Sequence, residues 1–127
     1  MFSDLAAIRA KLAERLKPVV PAAWEIVESL ESARKSLAPV LYFEHTQITS
    51  AINGAPLPRT TVGCGIDLII AAAGNDEDDA DAHILDLVRA LQGYDDILWD
   101  TANKTRIGGE TGPLGWRISL TVLSTTT

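Results

Sequence analysis

Apolar and polar positions alternate most regularly between Thr61 and Ala72. Val62, Cys64, Ile66, Leu68, Ile70 and Ala72 fall on one face, and Thr61, Gly63, Gly65, Asp67 and Ile69 on the other. Period two over more than ten residues predicts a long strand with one face on a core and partners on both sides. Trp116, Ile118, Leu120 and Val122 alternate with Arg117, Ser119 and Thr121 in the same way and predict a closing strand. Val40–Ile48 follows Pro39, is rich in β-branched and aromatic residues, and places Leu41, Phe43 and His45 on one face.

Two segments have the helical period instead. Leu5, Ile8, Leu12 and Leu16 form one stripe, with Ser3 as the expected N-cap, Asp4 at the positive dipole end, and Pro18 and Pro21 closing the helix. Ala80, Ile84, Leu87, Val88 and Leu91 form a second stripe, with Gly93 at the C-cap position. Residues 22–37 fit either reading. Trp24, Val27, Leu30 and Leu37 can line a helix, and Trp24–Glu28 alternates like a short strand. Tyr94–Ile107 is weakly patterned, with strand character at Leu98–Asp100 and Thr105–Ile107. Ser50–Pro58 and Gly108–Gly115 read as loops, the first with Asn53-Gly54 as a turn signal. Ser124–Thr127 is expected to fray. The order predicts an α+β fold, a mainly antiparallel sheet with two helices packed on one face.

Length and charge narrow the function classes. The 127 residues suit one domain spanning 1–127, and 46% apolar residues suffice for a packed interior. A net charge of −6, from 17 acidic and 11 basic residues, argues against holding nucleic acid by charge. The apolar runs are too short or too interrupted for a secretory signal or a membrane span. The expectation is a chain that stays in a reducing cytoplasm.

Candidate chemistry is sparse. Cys64 alone makes neither an internal disulfide nor a cysteine zinc site, and its period-two position predicts a small buried side chain. His45 and His83 have no neighbouring Cys, Ser or carboxylate at a nucleophilic spacing. The run Asp76, Glu77, Asp78, Asp79, Asp81 fails as a calcium loop. Counted from Asp76, Ala80, Asp81 and Leu87 stand where such a loop needs a carboxylate, Gly and Glu. It reads as an acidic first turn of a helix. Gly63-Cys64-Gly65 lacks the third glycine and following helix of a dinucleotide site, and predicts a bulge or close backbone packing. Gly108, Gly109, Gly112 and Gly115 lack the Lys and Ser/Thr of a phosphate loop. The expectation is therefore no enzyme, no cofactor and no metal. Charge is uneven: Asp76–Asp100 holds nine carboxylates and one Arg, and Met1–Leu37 five acidic and six basic residues. Such asymmetry suits subunits that meet head to tail.

The segment order resembles that of bacteriophage tail terminator proteins, also called minor tail or tail completion proteins. The likeness runs from about Leu5 to Ser124. It is carried by DLAAIRAKLAERLK, AAWEIVES, PVLYFEHTQI, RTTVGCGIDLIIAAA, DDADAHILDLVRAL and GWRISLTVLS. The resemblance implies a mixed or antiparallel sheet with helices on one side, and Trp24–Glu28 as a first strand. It also implies a homo-hexameric ring that caps the tail tube, stops polymerisation of the major tail tube protein and presents the surface for the head–tail connector protein. DNA would pass through the lumen without specific binding. The protein would reside in the virion tail, assembled in the host cytoplasm, with no membrane partner. The candidate interface and lumen residues are Asn53, Gly54, Arg59, Asp76, Asp78, Asp79, Arg106 and Glu110. A head–tail connector or neck protein is the alternative. A small metal-dependent hydrolase using His45, His83 and the Asp cluster is a third reading.

Overall fold

The computed structural model describes residues 4–21, 24–27, 40–52, 54–71, 77–107 and 114–125, with backbone alone for 77–80 and 114. In chain order the elements are α1 (Leu5–Leu16), β1 (Glu25–Ile26), β2 (Val40–Thr49), β3 (Ala51–Ile52) and β4 (Ala55–Pro56). They continue with β5 (Thr61–Ala71), α2 (Glu77–Gln92), β6 (Ile97–Arg106) and β7 (Leu114–Thr125). Five strands form one sheet in the order β1-β2-β5-β7-β6, and β3 and β4 form a small separate hairpin. The fold is α+β. Among the described residues the β1–β2 pairing alone is parallel, Glu25 opposite Val40 and Ile26 opposite Leu41, so the sheet is mixed. The rest of segment 22–37 beyond Trp24–Val27 lies outside the described residues.

The alternation in β5 does what its period requires. Cys64, Ile66, Leu68 and Ile70 share a face with Leu41 and Phe43 of β2 and with Ile118, Leu120 and Val122 of β7. Ile8, Leu12 and Leu16 of α1 and Ile84, Leu87, Val88 and Leu91 of α2 pack on that same face. Full burial of each such side chain contributes about 1.5–3 kcal/mol. The opposite face carries a second, smaller cluster of Val40, Tyr42, Ile69 and Ile107. Ile69 thus belongs to a core although it stands on the face read as polar.

Several local expectations change. The α1 cap is Asp4, not Ser3: its backbone is extended and its carboxylate accepts the Ala7 N–H at 2.7 Å. A carboxylate there also meets the positive helix end. Gly93 follows α2 without a left-handed φ. The turn closes instead through Gly93 N–H to Ala90 O and Tyr94 N–H to Leu91 O, at 3.2 and 3.3 Å. The weak stretch after Tyr94 is one strand, whose pattern slips because its register with β7 shifts between Trp99 and Ala102. β7 runs on to Thr125, where Thr61 and Thr125 hydroxyls meet at 2.9 Å, so Ser124 and Thr125 are paired rather than frayed.

Glycines sit where strands crowd. Register with β5 slips in β2 between His45 and Gln47, leaving Thr46 as the extra residue. A side chain on Gly65 would meet Thr46 Oγ1 at 2.5 Å and Gln47 Cγ at 3.0 Å. Gly63 is hemmed by Thr121 Cγ2 at 2.9 Å and Thr49 Cγ2 at 3.0 Å. Gly115, expected in a loop, is in β7, where a Cβ would land on the Ile70 carbonyl oxygen.

Candidate functional site

The sheet separates the residues that bracket the two predicted loops, Ser50–Pro58 and Gly108–Gly115. Thr61, which opens β5, pairs with Thr125 at the end of β7, and Ala71, which closes β5, pairs with Gly115 near its start. The β3–β4 hairpin and Arg59 precede Thr61. Ile107 and Leu114, which bracket the second loop, lie toward the Ala71 end, where Arg106 pairs with Leu114. Eleven residues of β5 at about 3.4 Å each put the two ends roughly 35 Å apart.

Gly54 turns the hairpin with φ 80°, a conformation that favours glycine. Arg59 is exposed. Arg106 is exposed at the end of β6. Asp78 and Asp79 lie in the first turns of α2, and α2 starts at the Ala71 end of the sheet after residues 72–76. Their side chains, together with Asn53, Asp76 and Glu110, lie outside the described residues. Gly54 and Arg59 are therefore on one end of the sheet, and Arg106 on the other.

The end bearing the hairpin carries exposed apolar side chains. Ile48 is opposite Cys64 and Val62 is two residues before it, so both project from the face that the helices cover farther along. Here they are 64% and 40% exposed. Leu98, on the other face opposite Thr121, is 43% exposed. Period two predicted the direction of Val62 but not that of Ile48, which strict alternation from Leu41, Phe43 and His45 puts on the opposite face; the slip at Thr46 turns it to the helix-covered side. Periodicity holds no information on where helix cover stops.

Charged side chains mostly tie elements together. Arg15 of α1 donates twice to Asp96, at 2.8 and 3.0 Å, with its guanidinium carbon 4.4 Å from the Tyr94 ring centroid. The Arg15 bonds hold the Asp96 carboxyl below its usual range. Asp81 of α2 accepts from Lys104 of β6 and from the Trp116 indole of β7, both at 2.8 Å, and its pKa is lowered by those bonds. On the face away from the helices, Arg117 of β7 donates to Asp67 of β5 at 2.7 Å and lies 3.8 Å from Glu44 of β2. The Asp67 bond raises the Arg117 pKa. None of these three networks is visible in sequence, since each joins residues from separate elements.

The two histidines stand apart in role. His45 faces α1 and meets Arg9 at 3.0 Å. His83 packs edge-on against Trp24, ring centroids 5.6 Å apart. Cys64 is buried, and burial pushes its thiol pKa up, the direction opposite to an activated nucleophile. Among the described residues no group of three or more His, Cys, Asp or Glu side chains is placed to hold a metal ion. No helix of the described residues is long and apolar enough to cross a membrane. Comparison with protein-family models gives no match, and comparison with curated proteins gives none.

Proposed function

We propose that the chain is a structural subunit of a phage tail, a terminator that closes the tail tube as a hexameric ring. The observation that carries this reading is the placement of the residues that bracket its two predicted loops, which we take as the contact ends, at opposite ends of one sheet, roughly 35 Å apart. A subunit that sits between a tube and a connector needs two separated contact ends. The order of elements agrees with the resemblance, including a short first strand at Glu25–Ile26. Exposed Ile48 and Val62 at the hairpin end give one contact an apolar centre. The major tail tube protein and the head–tail connector are the partners, and the chain itself is the third.

The role is assembly rather than catalysis. His45 and His83 are engaged by Arg9 and Trp24, and the Cys64 thiol is buried. An excess of acidic over basic side chains suits a lumen that DNA crosses without sticking. The protein acts in the virion tail after assembly in the host cytoplasm. Electron microscopy of the purified chain mixed with tail tubes tests the proposal. Six-fold rings on tube ends support it; twelve-fold rings that bind portal instead would replace it with a neck protein.

A further inference from the structure

The contact between α1 and β2 contains a chemical asymmetry. Arg9 Nη1 donates to His45 Nε2 at 3.0 Å. A guanidinium has no acceptor, so Nε2 is the bare nitrogen and Nδ1 carries the proton. The contact therefore requires a neutral imidazole. Beside it, Arg9 Nε and His45 Nδ1 are shut off from solvent without a hydrogen-bond partner. The junction sets these donors around Nε2, which is the atom that accepts from Arg9. A proton on Nε2 would remove that acceptor and set one cation 3.0 Å from another.

We infer that the Arg9–His45 contact is a pH-sensitive latch that holds the N-terminal half of α1 on β2 while His45 is neutral and releases it on protonation. Little around the ring offsets the second charge. From α1, Arg9 is the charged group facing it, and the Leu5 backbone favours the protonated ring. From β5, the residue opposite His45 is Ile66, which is apolar. Glu44 and Asp67 pair with each other in the sheet and engage Arg117 on the other face. Burial first and Arg9 second lower the His45 pKa below 6.5. Because the folded value lies below the unfolded one, the latch is fully closed above about pH 6.5. Its contribution is lost as pH falls through the folded value. The inference is independent of the ring proposal, since it concerns one chain.

NMR of the full chain between pH 8 and 5 tests it, following both imidazole rings and the amides of α1. His45 should titrate with a midpoint below 6.5, and the amides around Arg9 should move with that same midpoint. Each unit of depression means tenfold weaker docking of the protonated form. Substitution His45→Gln supplies an acceptor that does not titrate and should abolish the α1 response. Substitution His83→Gln should leave it intact. Should His45→Gln fail to fold, Arg9→Gln provides the second reading, an upward shift of the His45 midpoint. A His45 midpoint at or above 6.5, an α1 response that survives His45→Gln, or an unmoved midpoint in Arg9→Gln would overturn the latch.

Discussion

Replacing Gly115 by alanine adds one methyl group at a place where the sheet has no room. Gly115 lies in β7, opposite Ala71 of β5 and Thr105 of β6, so strands flank it on both sides. The new Cβ would land on the Ile70 carbonyl oxygen, 3.1 Å from the Ile70 carbonyl carbon and 3.0 Å from Ile107 Cγ1. Real Cβ atoms essentially never approach below 3.0 Å, and the obstacle is main chain rather than a side chain that can rotate away. β5 and β7 must therefore separate locally. Overpacking of a core costs about 1–3 kcal/mol, and a main-chain obstacle between interior strands places this case near 3 kcal/mol. For a chain of 127 residues that corresponds to a fall in Tm of about 10 °C. Two other glycines calibrate the result. Gly93→Ala meets only Ala90 O at 3.3 Å with an ordinary φ, and should stay within about 0.5 kcal/mol of the parent. Gly54→Ala has open space but φ 80°, and should cost about 1 kcal/mol. Urea unfolding followed by circular dichroism gives all three values. A Gly115→Ala variant as stable as the parent, or less damaged than Gly54→Ala, would refute the packing argument.

Other substitutions test other links. Asp96→Asn removes the doubly bonded partner of Arg15, which is 17% exposed, and should cost about 1–2 kcal/mol in the same unfolding assay. Because the Asp96 pKa is lowered in the fold, the parent's advantage over Asp96→Asn should be present at neutral pH and fade as acid takes the pH below about 4. Leu68, fully buried between β2 and β7, should lose about 2–5 kcal/mol on truncation to alanine, measured by the urea midpoint. Cys64 should resist a thiol reagent at pH 7.5 in the folded chain and react fully in denaturant; rapid reaction when folded would contradict its burial. Ile48→Ser, at an exposed site, should change stability by less than about 0.5 kcal/mol yet weaken capture of tail tubes, read by co-sedimentation.

Periodicity carried most of the fold because the burial it reports is one-sided. β5, β7 and both helix stripes meet on a single sheet face, so each element's own pattern was sufficient to orient it. Where two elements act together, one element's pattern falls short. The β6 alternation breaks at the register shift after Trp99, a feature set by its pairing with β7. The terminal threonines look like a solvated tail until Thr61 stands opposite Thr125. Gly115 resembles loop glycine, although its function is to let the Ile70 carbonyl close in. Ile69 joins Tyr42 and Ile107 across the sheet in a cluster that no local period announces. Of the candidate contact residues, Gly54 was legible as a turn glycine, in keeping with its left-handed φ, whereas Arg106 closes strand β6 and Asp78 and Asp79 lie in α2. The apolar end at Ile48 and Val62 was not legible, because it depends on where α1 and α2 stop covering the strands.

A terminator of the proposed kind closes on a tail tube as a ring of fixed copy number. Native mass spectrometry of the complex released from tube ends measures that number directly. Six chains per particle are expected, found only on tubes whose growth has stopped. Twelve chains, or a monomer that leaves tube length unchanged, would contradict the terminator reading.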